Sequence, residues 1–388
     1  RSTPSNSSAA SDVYKRQMKI ITNLNHKVGG IDLHVDNIYA TYDCLNGNVK
    51  TAIFSHTKDG LIKLAEELLR NAVTKVFLES TGSYYFPLAL TLEARGIEVY
   101  IFNASKTKNP DIDKTDEKDS AWLYALGKTG KVGASRPISE DIIALREAVR
   151  LRFKVADMIA ASKKRIEAML WRLGFIAKGV SKKLEGKKFR EALRFALKGR
   201  VSKRFKNVDI IVSVAERGRS GFKGFDIVLD ELNELERLLK RRDSIDEKIR
   251  ELAEPYMDKI KILMSIPGIR FTLAVAIFSE IVSVDRFPTA KHLVSYAGLR
   301  PTLRQSGRKR RHGRTSKKSN SRLRRYMFLA ATGAMRSRDL RIRGFVGRLR
   351  SRGKHYKVIA VALARKLLYI AWFLLVRGEC WKPIMPVR

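Results

Sequence analysis

From residue 27 to residue 130 the hydrophobic pattern switches repeatedly between the two-residue period of a strand and the 3.6-residue period of a helix. The order of those switches leaves few folds open. "HKVGGIDLHVDNIYATYDCL" supplies two β-rich runs and "VKTAIFSH" a third. "DGLIKLAEELLRNA" (59–72) has apolar residues at helical spacing, "KVFLES" is a short strand ending at Glu79, and "YYFPLALTLEARG" is a helix closed by Gly96. "IEVYIFN" is a further strand and "KTDEKDSAWLYALGKTG" a helix stopped by glycine. Three strands in a meander are thus followed by alternation, in the order β-β-β-α-β-α-β-α.

That is the element order of an RNase H-like α/β domain with a mixed sheet, and the acids fall where such a fold needs them. Asp32 lies on the first strand, Glu79 ends the fourth, and Asp116 and Asp119, three apart, project from one face of the last helix. Four carboxylates from three separated elements could hold two Mg²⁺ ions about 3.5–4 Å apart, activating one oxygen of a phosphodiester and stabilising the leaving one. Plainer readings stand beside this one. An Asp after a strand is commonly a turn residue, and Asp-x-x-Asp early in a helix complements its positive end. Asp111, Asp113 and Glu117 are neighbours that could serve in place of Asp116 or Asp119.

Charge divides the chain a second way. The 388 residues carry 78 Lys+Arg against 39 Asp+Glu, a net +39, with an ordinary hydrophobic content of 44%. Residues 18–130 hold 13 basic and 14 acidic side chains, so the excess lies behind them; between Arg286 and Arg338 there are 16 basic residues and no acidic one. Such a field calls for a polyanion, and nucleic acid fits better than an anionic membrane surface. The longest apolar run, "VIAVALARKLLYIAWFLLV" (358–376), carries Arg365 and Lys366 at its middle. Each would cost about 2.5–3.5 kcal/mol in a bilayer, so the run reads as a buried helix and no membrane partner is expected. Cys44 and Cys380 match neither a disulfide framework nor a zinc site, which suits a reducing cytoplasm. The Ser-rich residues 1–17 lack an apolar h-region and precede Met18; they read as a non-native leader.

Behind the first domain, "SEDIIALREAVRLRFKVADMIAASKKRIEAMLWRLG" is a long helix with Ser139 as its cap. Its apolar stripe runs through Ile143, Val149, Phe153, Ile159, Ile166 and Leu170. Residues 175–224 are basic and less regular, as an insertion would be. In 225–252, Val228, Leu232, Leu235, Leu239, Ile245, Ile249 and Leu252 step like a coiled-coil seam that ends at Pro255. The seam could meet another helix of the same chain, a second copy, or simply its own domain. "SIPGIR" resembles a helix-hairpin-helix turn, whose amides can meet a phosphate.

"LRQSGRKRRHGRTSKKSNSRLRR" (303–325) follows. By residue chemistry alone Ser306 is a turn residue, a phosphate contact or a nucleophile. Gly307 would let a phosphodiester approach closely, and Arg304, Arg308 and Lys309 would stabilise a pentacoordinate phosphoryl transition state. No His-Asp pair stands nearby to activate the hydroxyl, so a metal cluster would have to help it. Arg310, Arg311, Arg314, Lys317, Lys318, Arg322, Arg324 and Arg325 extend the cationic surface, with His312 as a further backbone or phosphate contact.

Taken together and in order, "GIDLH", "FLESTGSYY", "KTDEKDSAWLYAL", "SIPGIRFTLAVAIFSEI", "DRFPTAKHLVSYAGLRP" and "QSGRKRRHGRTSKKSNSRLRRYMFLAA" resemble the DEDD-type insertion-sequence transposases, from about residue 27 to about 375. The resemblance implies a RuvC-like metal domain (18–135) with Asp32, Glu79, Asp116 and Asp119 as its acids. A basic helical and coiled-coil linker (136–256) and a mostly α-helical transposase domain (257–388) with Ser306 as nucleophile follow. It implies donor and target double-stranded DNA, an element-encoded guide RNA pairing with both, a transient 5′-phosphoserine link, and a homo-oligomer (dimer to tetramer) in which acids and serine come from different protomers. The chain departs from the family at Glu79-Ser80-Thr81-Gly82, where alanine is usual second, and at Ser319, where glycine is common before Asn320. Two rivals are an RNase H-like nuclease or junction resolvase with water as nucleophile, and a non-catalytic nucleic-acid-binding protein.

Overall fold

The computed structural model describes residues 26–384 except 81, 108–114, 131, 202, 206–207, 220–223, 307–308 and 316–318, and describes 105–106, 203, 301–306 and 309–315 by their backbone alone. In chain order the elements are β1 (Lys27–Leu33), β2 (Asn37–Asp43), β3 (Val49–Ser55), α1 (Lys58–Arg70), β4 (Val73–Glu79), α2 (Tyr85–Glu93), β5 (Glu98–Phe102), α3 (Ala104–Thr107) and α4 (Asp116–Thr129). Then come α5 (Glu140–Arg172), α6 (Val180–Lys183), α7 (Lys187–Leu197), α8 (Asp209–Arg219), α9 (Phe225–Ala253), α10 (Met257–Met264), α11 (Phe271–Ile281) and α12 (Ala290–Tyr296). The strands β6 (Pro301–Ser306) and β7 (Lys309–Thr315) precede α13 (Ser321–Ala334), α14 (Leu340–Ser351) and α15 (Tyr356–Arg377). They group into two compact units, one of residues 1–142, 281–324 and 361–377, the other of 143–280, 325–360 and 378–388.

In the first unit five strands form one mixed sheet in the order β3-β2-β1-β4-β5. β2 runs antiparallel to both β1 and β3, while β4 runs parallel to β1 and β5. Side chains alternate across a sheet, and the two faces bury different sets. Ile31, Leu33, Ile38, Ala40, Val76, Leu78 and Val99 pack with Leu64 and Leu68 of α1 and Leu88 and Leu92 of α2. On the other face Val28, Phe77, Tyr100 and Phe102 meet Leu123 and Leu126 of α4.

Two glycines let α4 lie flat on that second face. A Cβ at Gly30 would overlap the backbone of Ser120 and Tyr124, and one at Gly127 would enter the ring of Phe77. The Ser120 hydroxyl also shares a 2.9 Å hydrogen bond with that of Thr41. At the far end of the helix Tyr124 Oη and Lys128 Nζ donate to Asp43 Oδ1, each at 2.6 Å, and the Val28 amide donates to Oδ2 at 2.9 Å. Burial alone would raise the Asp43 carboxyl; the donors Lys128, Tyr124 and Val28 outweigh it and hold the group below its ordinary value.

In the second unit α5 and α9 run antiparallel. Arg152 pairs with Asp246 at 3.0 Å and Arg165 with Glu231 at 2.7 Å, so position rises along one helix as it falls along the other. Val228, Leu232, Leu235, Ile245 and Ile249 are buried, so the seam read from their spacing is covered within one chain. The stripe of α5 is rotated slightly from the sequence reading: Ile142, Leu145, Val149, Val155, Ile159, Ile166 and Leu170 are buried, whereas Ile143 and Phe153 are half-buried. The 175–224 region, expected to be irregular, contains the helices α6, α7 and α8. Phe189, Ala192, Leu193 and Ala196 of α7 and Ile210, Ile211 and Val214 of α8 are their buried faces. Glu280, 1% exposed, accepts from Arg150 Nε and Nη2 at 3.1 and 3.3 Å, and Arg146 Nε donates to Ser279 O at 2.8 Å.

The Ile-Pro-Gly-Ile turn also docks a helix. Gly268 has φ +87°, and its open side is filled by the backbone of Ala330 and Ala334 in α13. The Ile269 amide donates to Ile266 O at 3.1 Å. The glycine is a helix-docking residue, and that amide is already paired. Helix α15 is long and apolar enough to cross a bilayer by length and composition. It buries one small-residue face (Ala360, Leu363, Ala364, Leu367, Leu368, Ala371) and exposes Arg365 and Phe373 on the other, so the buried-helix reading holds for one face only.

Gly30→Ala is expected to destabilise the chain by roughly 3 kcal/mol or more, because backbone on both sides must part. Chemical denaturation checks this; an unchanged midpoint would refute the close-approach argument.

Candidate functional site

The site lies on the α4 face of the sheet, where β1 and β4 end. Val28, Gly30 and Asp32 alternate onto that face, as do Lys75, Phe77 and Glu79 on the parallel neighbour. Ile31 is opposite Leu78, so the next residues, Asp32 and Glu79, continue the ladder side by side. Helix α4 enters over them. Thr115 is its N-cap, with its side chain accepting from the Lys118 amide at 3.4 Å, and Asp116 and Asp119 occupy its first turn. One turn further on, the Ser120–Tyr124 backbone is the part that rests on Gly30. Glu117 is exposed, whereas Asp116 and Asp119 are half-buried, which separates the pair from its neighbour. Asp111 and Asp113 lie outside the described residues.

The electrostatics of Asp32 show the four acids converging. Its pKa is pushed up from 3.8 to about 6, first by burial, then by the negative charges of Asp119 and Asp116, with Glu79 adding a smaller share. A hydrogen bond from the Leu33 amide opposes the rise. Burial and the charges of the other three carboxylates together hold the Asp32 proton more tightly than water would.

Two residues that sequence reading missed hold the cluster in place. Thr107 Oγ1 donates to Glu79 Oε2 at 2.6 Å, and Trp122 Nε1 of α4 donates to Thr107 O at 2.7 Å. Glu79 is thus tied through α3 to the helix that carries Asp116 and Asp119. Neither residue has a spacing signal, since both act through tertiary hydrogen bonds. Among the described residues no three His, Cys, Asp or Glu side chains are gathered tightly enough to hold a metal ion as they stand. The donor chemistry nonetheless suits a hard divalent cation: four oxygen ligands whose mutual repulsion a 2+ charge would cancel.

Ser306 is the last residue of β6 and pairs with Lys309, the first of β7. Where the sequence reading had a basic loop, the backbone forms a two-stranded antiparallel ribbon. Further along, Arg304 pairs with Arg311, Gln305 with Arg310 and Leu303 with His312; Arg314 is also on β7. Gly307, Arg308, Lys317 and Lys318 lie outside the described residues. The ribbon belongs to the same compact unit as the carboxylate sheet. Arg322 is exposed on α13. Arg324 Nη1 reaches Ser319 Oγ at 3.4 Å, and Asn320, just before α13, donates through Nδ2 to Tyr296 Oη at 3.0 Å. Arg325 makes a bidentate pair with Asp157 of α5 at 2.5 and 2.9 Å and stacks on Phe153, which commits its guanidinium to the fold.

Residues 30–174 match the DEDD transposase family of IS110, and residues 260–346 match the transposase family of IS116, IS110 and IS902. Over both of these segments the chain is similar to IS110-type transposases. Similar proteins include the 43.6 kDa insertion element IS110 protein of Streptomyces coelicolor, 32% identical over 42% of this chain and 40% of that protein. A probable family 20 transposase of Pseudomonas aeruginosa is 31% identical over 40% of this chain and 45% of its own length. The pilin gene-inverting protein of Moraxella bovis is 33% identical over 29% of this chain and 36% of its own length. Each match spans less than half of the relative.

The raised Asp32 pKa carries a sign that can be checked without cations. The folded state holds the proton more tightly than the unfolded chain, so the associated stability is present at low pH and is lost as pH rises through about 6. In EDTA, Asp32→Asn is expected to raise the melting temperature well above pH 6 and to have little effect near pH 4. The shift of about two pKa units sets a ceiling of about 3 kcal/mol, which screening in this partly open site reduces to about 1 kcal/mol. A gain of the same size at both ends of the range would contradict the carboxylate-crowding origin. Thr107→Val is expected to lower strand-transfer or cleavage rates about tenfold or more while moving the melting temperature little, since it removes a hydrogen bond that orients Glu79. Equal rates would remove Thr107 from the site.

Proposed function

We propose that this transposase-family protein cuts and rejoins DNA strands on an RNase H-like (RuvC-like) mixed sheet, with Ser306 as nucleophile and the Asp32 cluster as its electrostatic partner. The observation that carries this reading is the crowding of four carboxylates from β1, β4 and α4, registered in the displaced pKa of Asp32. Neighbouring carboxylates repel one another, and a divalent cation between them would relieve that repulsion. Asp32, Glu79, Asp116 and Asp119 would hold Mg²⁺, which supplies charge neutralisation at the scissile phosphate.

The rest falls to the chain's own residues. The Ser306 hydroxyl attacks phosphorus; an Oγ–P bond forms, the P–O3′ bond breaks, and the serine proton is balanced by one taken up at the departing 3′ oxygen. The product is a 5′-phosphoserine linkage that conserves the energy of the phosphodiester, so a second 3′ hydroxyl can reverse the step and rejoin strands. Arg304, Arg308 and Lys309 flank the serine in sequence and would balance the added negative charge. Arg310, Arg311, Arg314, Lys317, Lys318, Arg322 and Arg324 would grip donor and target duplexes through their phosphates. Site choice by an element-encoded RNA, and assembly into a homo-oligomer in which acids and serine meet across protomers, complete the reading. The excess of 39 positive charges supports a large polyanionic partner.

The test is a covalent protein–DNA adduct. Full-length protein with Mg²⁺ and DNA carrying an element end, with the transcribed flanking RNA, is expected to give a denaturation-resistant adduct. Ser306→Ala should abolish it, EDTA should suppress it, and Asp32→Asn should slow it about 100-fold or more. Strand cleavage without any adduct would replace this reading by a hydrolytic nuclease with water as nucleophile.

A further inference from the structure

A cavity of about 430 Å³ opens between the C-terminal end of α13 and the outer side of α14, lined by Met335, Arg336, Ser337, Arg338, Arg343, Val346, Gly347 and Arg350. Half of that lining is arginine. All four guanidinium-bearing residues are exposed, and among the described residues none of the four has a carboxylate partner. Arg150, Arg152, Arg165, Arg194 and Arg325 in the same unit are all paired with Asp or Glu. Unpaired arginines held around one concavity repel each other, a cost that an anionic ligand removes.

The one acid nearby is kept out of the cavity. Asp339 is the only acidic residue between Arg286 and Gly378, and it is fully buried. Its Oδ1 accepts the Arg341 and Ile342 amides at 2.9 and 3.2 Å; its Oδ2 accepts the Ile384 amide at 3.0 Å and Trp381 Nε1 at 3.2 Å. Arg341, which pairs with Asp339 and lies 3.7 Å over the Trp381 ring, points to this internal network and is not part of the lining. The carboxylate is engaged inside the fold, and the charged residues that line the concave wall are all arginines.

The shape of the wall suits an extended ligand. Arg343 and Arg350 are seven residues apart, two helical turns or roughly 10.5 Å along one side of α14. Between them Gly347 presents no side chain, and a Cβ there would meet nothing within 4 Å. An isolated phosphate needs one guanidinium fork. Arginines spaced over two turns beside a bare stretch fit successive charges along a polymer whose backbone can lie close to the helix.

We infer that this cleft is a binding site for the sugar-phosphate backbone of duplex DNA, separate from the serine ribbon and the carboxylate cluster, contacting phosphates without reading bases. This rests on the DNA-acting reading above, but it does not depend on the serine chemistry. The experiment is equilibrium binding of the full chain to a short fluorescent DNA duplex of arbitrary sequence over a series of KCl concentrations, with no cleavage required. Losing two phosphate contacts in Arg343→Gln/Arg350→Gln should weaken binding about tenfold or more near physiological salt and flatten the slope of log K against log [salt] by about 1.8. Arg336→Gln/Arg338→Gln should act in the same direction. Lys187→Gln/Lys240→Gln, which removes the same charge from helices α7 and α9, should leave the slope nearly unchanged. Equal losses in the control pair would reduce the effect to diffuse charge and overturn the inference, as would an unchanged slope in both cleft variants. Weakening confined to an RNA duplex of the same length would overturn the DNA assignment. An adduct lost in Ser306→Ala with a normal salt slope, or the converse, keeps the two readings apart.

Discussion

The candidate carboxylate site depends on one backbone-to-backbone contact, where α4 rests on β1 at Gly30. Helix and strand are ordinarily separated by side chains. Here the absence of a Cβ brings the Ser120–Tyr124 segment onto the sheet, and the turn before it carries Asp116 and Asp119 over Asp32. Gly127 against Phe77, the Ser120–Thr41 hydrogen bond and the Asp43 triad with Tyr124 and Lys128 fix the helix along its length. The cluster is built by docking geometry, and its acids are held by a scaffold strong enough to keep like charges together.

How such a cluster persists is a matter of relative magnitudes. Burial, with the neighbouring carboxylates adding to it, moves Asp32 to about 6, a penalty of at most a few kcal/mol before screening. Burial of Leu123 and Leu126 with Phe77, Tyr100 and Phe102 contributes on the order of 1.5–3 kcal/mol per side chain. The apolar contact therefore outweighs the repulsion, and the acids are held near one another at a tolerable loss of stability.

Much of this could be read in the residues themselves. The strand and helix periods between 27 and 130 show the order of elements, whereas bringing Asp32 and Glu79 to one face also needed the β1–β4 register. The helix of 225–252 was visible in its seam, but its partner was not: the answer lay in Arg152 and Arg165, whose carboxylates are some 66 to 94 residues away. Helices α7 and α8 lie in a stretch dense in lysine and arginine, although Phe189 and Leu193, and Ile210 and Val214, stand at helical spacing. The ribbon β6–β7 was hidden: strand signals rest on apolar alternation, and 303–314 has hardly an apolar side chain to alternate. Thr107 and Trp122 act on Glu79 only through folding, and the choice of Asp116 over Glu117 needed the helix phase that docking sets.

The paired helices α5 and α9 have a mechanical consequence. Arg152–Asp246 and Arg165–Glu231 sit two opposite stretches of the pair apart, like pins through a double rod. Sliding one helix along the other by a single turn, about 5.4 Å, would draw both pins at once and set leucines against the wrong hollows. Buried leucines and cross-helix ion pairs thus agree on a single register for the pair.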